Sequence, residues 1–80
     1  MRAKLTDFHT GWYEVEIGIK PEEINGLIAL LQQLQVGLIS HIQASSDYEG
    51  DGGVGDVTFY LQTDAADNLV LLSPPIAPNR

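Results

Sequence analysis

WYEVEIGIKPEEINGLIALLQQLQ, residues Trp12 to Gln35, decides the fold. Up to Ile19 the apolar residues recur every second position. Tyr13, Val15, Ile17 and Ile19 share one side, while Glu14, Glu16 and Gly18 take the other, which is the pattern of a strand with one buried face. After Lys20-Pro21 the period lengthens. Ile24, Leu27, Ile28, Leu31 and Leu34 fall on one stripe of a helix. Pro21 suits the first helical position, where its missing N–H leaves nothing unsatisfied. Glu22 and Glu23 lie in the first turn, where the helix dipole favours negative charge. Gly37 is placed to stop the helix. Gly26, inside it, costs roughly 1 kcal/mol relative to Ala and suggests close approach to a sheet.

Outward from this segment the signals are strands and turns. Met1 to Gly11 is polar, with Leu5 and Phe8 as anchors for a short edge strand. Leu38 to Ser45 reads as a second strand, and Asp56 to Thr63 as a third, with Val57, Phe59 and Leu61 alternating against Thr58, Tyr60 and Gln62. The glycine-rich stretch Asp47 to Gly55 joins these two as an antiparallel pair. Asp64 to Asn68 is a turn, and Leu69 to Leu72 a fourth strand, with a short helix over 65–72 as the competitor. The predicted architecture is α+β: a small, mainly antiparallel sheet of three to four strands with one amphipathic helix on one face, in the order β-α-β-β-β. Residues 1–73 form the single domain, and 74–80, containing Pro74, Pro75 and Pro78, a mobile tail.

The 80 residues include eleven acidic and four basic side chains, for a formal charge of −7. Between Lys20 and Arg80 there is no Lys or Arg, while Glu22, Glu23, Asp47, Glu49, Asp51, Asp56, Asp64 and Asp67 all lie there. This balance excludes nucleic-acid binding through clustered cations and disfavours anionic membranes. It favours a basic protein partner. Without cysteine there is no disulfide, thiolate chemistry or Cys-based zinc site. The N-terminal residues lack the apolar core of a secretion signal, and no run reaches the length of a membrane span, so a cytoplasmic protein is expected.

Asp47-Tyr48-Glu49-Gly50-Asp51-Gly52-Gly53-Val54-Gly55-Asp56 is the most specific local pattern. Asp47, Glu49 and Asp51 fit positions 1, 3 and 5 of a calcium loop, with Gly52 at the turn. Thr58 stands where a bidentate Glu belongs, and the flanks are strands rather than helices, so a glycine-rich acidic loop moulding to a partner is the favoured reading over a metal. His9 and His41 lack ligand spacing. Ser40, Ser45 and Ser46 near His41 make no nucleophile elbow. No catalytic residue and no cofactor is expected. The outer sheet face, carrying Glu14, Glu16, Thr58, Tyr60 and Gln62, with His41 or Ser40 depending on register, completes the surface. Trp12 falls on its side by parity, Tyr13 belongs to the core, and Tyr48 is the contact anchor of the loop.

The layout of Tyr13–Ile19, Pro21–Leu34, His41–Ser46 and Val57–Leu61 resembles that of small acidic immunity proteins of bacterial polymorphic toxin systems. The resemblance is one of architecture, size and acidity. It carries no diagnostic motif and transfers no site residue. It implies a compact α+β protein that neutralises a toxin by binding it. The expected function is therefore a non-enzymatic, protein-binding module that occludes a basic partner through Asp47, Tyr48, Glu49, Asp51 and Asp56, supported by Glu14, Glu16 and Tyr60. A homo-oligomer burying the outer face, such as a homodimer, and a calcium-responsive loop are the alternatives.

Overall fold

The computed structural model describes residues 1–72, so the proline-containing segment 74–80 and Ser73 lie outside the described residues. The fold is α+β: one helix and two small antiparallel hairpins. The elements are β1 (Arg2–Asp7), β2 (Tyr13–Gly18), α1 (Pro21–Gln35), β3 (His41–Ser45) and β4 (Asp56–Tyr60). β1 pairs with β2, and β3 with β4, as two separate two-stranded sheets. The order among the described residues is thus β-β-α-β-β, not the expected β-α-β-β-β.

The difference begins at the N-terminus. The expected edge strand forms and pairs locally with β2, from Arg2 opposite Gly18 to Asp7 opposite Tyr13. Five residues, Phe8 to Trp12, turn the chain, and the Phe8 N–H donates to the Trp12 carbonyl at 3.1 Å. His9 and Gly11 take positive φ, 57° and 92°. His9 tolerates this with its N–H donating to Asp7 Oδ1 at 2.7 Å. A short hairpin costs less closure entropy than pairing β2 with a strand beyond the helix, so the local pairing wins. Trp12 is consequently a turn residue.

Helix α1 starts and stops where its sequence says. The Lys20 N–H donates to Glu23 Oε1 and the Glu23 N–H to the Lys20 carbonyl, both at 2.9 Å. The N-terminal ammonium of Met1 reaches the same carboxylate at 2.8 and 3.0 Å, tying the start of the chain to the first helical turn. At the other end Gly37 takes φ 81°, the Gly37 N–H bonds the Leu34 carbonyl at 3.2 Å, and the Leu38 N–H bonds the Gln33 carbonyl at 2.9 Å. That pair of bonds is a Schellman stop and requires the left-handed residue. Gly26 does not mark a close approach: a Cβ there meets nothing within 4 Å.

Packing is thin. α1 lies against β3, and Leu34 of α1 and Ile42 of β3, at 5% and 9% exposure, are the only buried apolar residues among those described. Tyr13, expected in the core, is exposed, as are Val15 and Ile19. The β2 face has the expected composition, but Tyr13 and Val15 on it are left uncovered among the described residues. Ile24, Ile28 and Leu31 form a second, open stripe beside the half-buried Leu27 and the buried Leu34.

The expected fourth strand is absent. Leu69 to Leu72 is neither strand nor helix and is almost entirely exposed. The turn before it does form. Gln62 Nε2 donates to the Asp64 carbonyl at 2.9 Å and to Asp67 Oδ1 at 2.7 Å, and the Ala66 N–H to Asp64 Oδ1 at 3.1 Å. The segment then leaves without meeting a strand edge, and an apolar run with no partner gains nothing by becoming a strand.

Candidate functional site

The β3–β4 register sets His41 opposite Tyr60, Gln43 opposite Thr58 and Ser45 opposite Asp56. By strand alternation these six side chains share one face, and all are exposed. Ile42, Ala44, Val57 and Phe59 make the other, apolar face. His41, rather than Ser40, is therefore the outer-face residue.

Asp56 organises this face. Its Oδ1 accepts from Ser45 Oγ at 2.7 Å and from Gln43 Nε2 at 3.3 Å, and its Oδ2 from the Tyr48 hydroxyl. The loop between the strands is closed by the Ser46 N–H donating to the Gly55 carbonyl at 2.7 Å. Inside it, the Tyr48 N–H donates to Ser46 Oγ at 3.0 Å and the Glu49 N–H to Asp47 Oδ1 at 3.1 Å. Tyr48 itself takes φ 60°. Its ring lies over Gly55, where a Cβ would sit 2.8 Å from Tyr48 Cε1. The loop is thus a braced structure folded back on the head of β4, with Ser46 and Tyr48 to Gly55 lining an open concavity.

The bonds shift the two partners in opposite senses. The Tyr48 hydroxyl foremost, then Ser45 and, more weakly, Gln43 hold the Asp56 carboxyl below its ordinary range, with desolvation opposing them. Donation to Asp56, with lesser contributions from desolvation and from the carboxylate charge, raises the Tyr48 phenol. Tyr48 and Asp56 are therefore bonded to each other, with the exposed Tyr48 ring still presented to solvent.

Asp47, Glu49 and Asp51 remain on the loop. Among the described residues the ion pairs are the N-terminal ammonium with Glu23 and His9 with Asp7, so none neutralises these three. Nor do the described residues bring three acidic or histidine side chains into a group able to hold a metal ion. The calcium-loop spacing does not become convergence, because Asp47 turns to a backbone N–H and Asp56 to Tyr48 and Ser45.

Glu14 and Glu16 lie on the other hairpin, on its polar face, with Thr6 and Lys4 opposite them. They do not share a sheet with Tyr60, as the single-sheet expectation required. The neighbouring Glu16, by hydrogen bonding and charge, raises the Glu14 carboxyl, and Lys4 partly opposes this. Ser40 Oγ and His41 Nδ1 are 2.9 Å apart, but both are exposed and no carboxylate among the described residues is bonded to the ring.

The roles of Ser45 and Gln43 on this face were not read from sequence. Their signal was the hairpin register, which puts Ser45 directly across from Asp56. The other unforeseen feature is a cleft lined by Met1, Ala3, Ile17, Ala44, Val54 and Val57, where the apolar faces of the two hairpins meet. The chain matches no protein-family model, no curated protein and no solved structure. No helix among the described residues is long and apolar enough to cross a membrane.

Proposed function

We propose that the chain is a non-enzymatic binding module whose acidic β3–β4 face and loop dock a basic protein, in the manner of an immunity or inhibitor protein. The observation that carries this reading is the surface formed by Asp47, Glu49 and Asp51, which no cation among the described residues neutralises, on a loop pinned by Tyr48 and Asp56. A braced loop loses little freedom on docking, so its charges act from fixed positions. Charges of one sign draw in an oppositely charged partner and raise the association rate, an effect that salt screens. Glu14, Glu16 and Tyr60 extend the acidic and aromatic surface on separate hairpins. A cytoplasmic site of action fits this reading.

Affinity capture from a lysate of the producing organism, washed at low and at high salt, tests it. The expected result is a basic protein retained at low salt, weakened at high salt, and lost with the triple variant Asp47→Asn, Glu49→Gln, Asp51→Asn. Retention by that variant equal to wild type contradicts the assignment of this surface.

A further inference from the structure

We infer that the apolar side of the chain is the interface with a second copy, and that Leu69–Leu72 of each copy enters the hairpin cleft of the other. Leu5, Tyr13 and Val15 on one hairpin and Phe59 on the other stay exposed, an apolar surface of the kind an obligate homodimer buries.

Charge selects the occupant. The apolar faces present Ala3, Leu5, Tyr13, Val15 and Ile17 on one hairpin and Ile42, Ala44, Val57 and Phe59 on the other. The sole acidic residue in register with these faces is Asp7, at the turn end of β1 and within 3.7 Å of His9 Nδ1. A basic partner finds almost nothing to pair with on this side. A copy of the same chain, despite its charge of −7, meets little on these faces to repel it, because the register sets Glu14, Glu16 and Asp56 on the opposite faces of their hairpins.

The chain also supplies a segment to fill the cleft. Leu69, Val70, Leu71 and Leu72 are 86%, 79%, 99% and 77% exposed. They follow a turn fixed by Gln62, Asp64 and Asp67 that does not bring them back onto their own hairpins. Exchange of such a segment about a two-fold axis is a low-cost route to a closed dimer. The cleft adjoins the acidic loop at Ser46, Val54 and Gly55 but is not lined by Asp47, Glu49 or Asp51, so the dimer displays two of the acidic surfaces.

The absence of cysteine makes the test direct. Leu71→Cys and Ala44→Cys are made as separate chains, each at a position whose side chain is not buried in its own copy, and are mixed and oxidised. A disulfide-linked species of two chains, formed in the mixture well above either variant alone, is expected. Light scattering on the wild type is expected to give twice 8.7 kDa at tens of micromolar. Leu71→Asp is expected to weaken the dimer about thirtyfold or more, as for a central interface residue. Because Leu71 touches almost nothing in its own chain, its replacement spares the monomer. A strict monomer, open-ended oligomers, a dimer indifferent to Leu71→Asp, or no heterologous crosslink would each overturn the proposal. The Asp47, Glu49, Asp51 triple variant keeps its dimeric mass here, so failure of the acidic surface and failure of this interface read out separately.

Discussion

Gly55 and Tyr48 are a matched pair. The ring occupies the space a side chain on residue 55 would need, so Gly55→Val displaces Tyr48 and breaks its bond to Asp56. The raised Tyr48 phenol then returns toward the ordinary tyrosine range, an outcome readable by tyrosinate absorbance against a Tyr48→Phe control. Asp56→Asn shifts the same titration in the same direction, since the carboxylate acceptor is the first cause of the shift. Two glycines of the helix give opposite outcomes. Gly37 sits at φ 81°, so Gly37→Ala costs about 1 kcal/mol in denaturant unfolding. Gly26 has open space where its Cβ would go, so Gly26→Ala gains roughly 0.5 to 1 kcal/mol. The pH response separates three carboxylates. Asp56 and Glu23 are held low, so the stabilisation they give is present above the unfolded carboxylate range and lost as pH falls through their depressed values. Glu14 is held high, so its contribution is full below the unfolded value and lost as pH rises through the raised one. The urea midpoint is therefore expected to rise as pH drops through the raised Glu14 value, and to fall once pH passes below the ordinary carboxylate range into the depressed values of Asp56 and Glu23. In Glu14→Gln the first rise is smaller and the midpoint at neutral pH higher.

At the scale of elements, the β2–α1 junction was legible because the apolar period changes from two to 3.6 across Lys20-Pro21. The helix stop was legible because a Schellman end needs a residue that accepts positive φ, and Gly37 is there. The β3–β4 pairing followed from alternation on both sides of the glycine-rich loop. The single sheet did not follow, since alternation says which residues share a face and nothing about which edge a strand takes. Leu5 and Phe8 hinted at an N-terminal strand but did not say that it would claim β2. Leu69 to Leu72 has the composition of a strand and meets no edge among the described residues, which composition cannot reveal. In the candidate site, the acidic residues were plain from sequence. The bracing of the loop by Tyr48, Asp56 and Ser45 was not, because it depends on a hairpin register and on a side-chain direction. Leu34→Ala tests the α1–β3 junction. It removes one of two buried apolar side chains and costs about 2 to 5 kcal/mol, a large share of what a domain this small possesses.

For the whole molecule, two surfaces of different character divide the work. On the proposed reading, the acidic loop and polar hairpin face attract a basic protein, and the apolar side joins two copies. A pair of two-stranded sheets and one helix burying two apolar residues has little stability as a single chain. In the proposed dimer a second copy supplies what the core lacks, and folding is then linked to association by mass action. Thermal unfolding as a function of chain concentration tests this most directly. The melting temperature is expected to climb steadily over a hundredfold rise in concentration, and to lose that dependence in Leu71→Asp. A wild-type melting temperature that stays constant over the same range would contradict it.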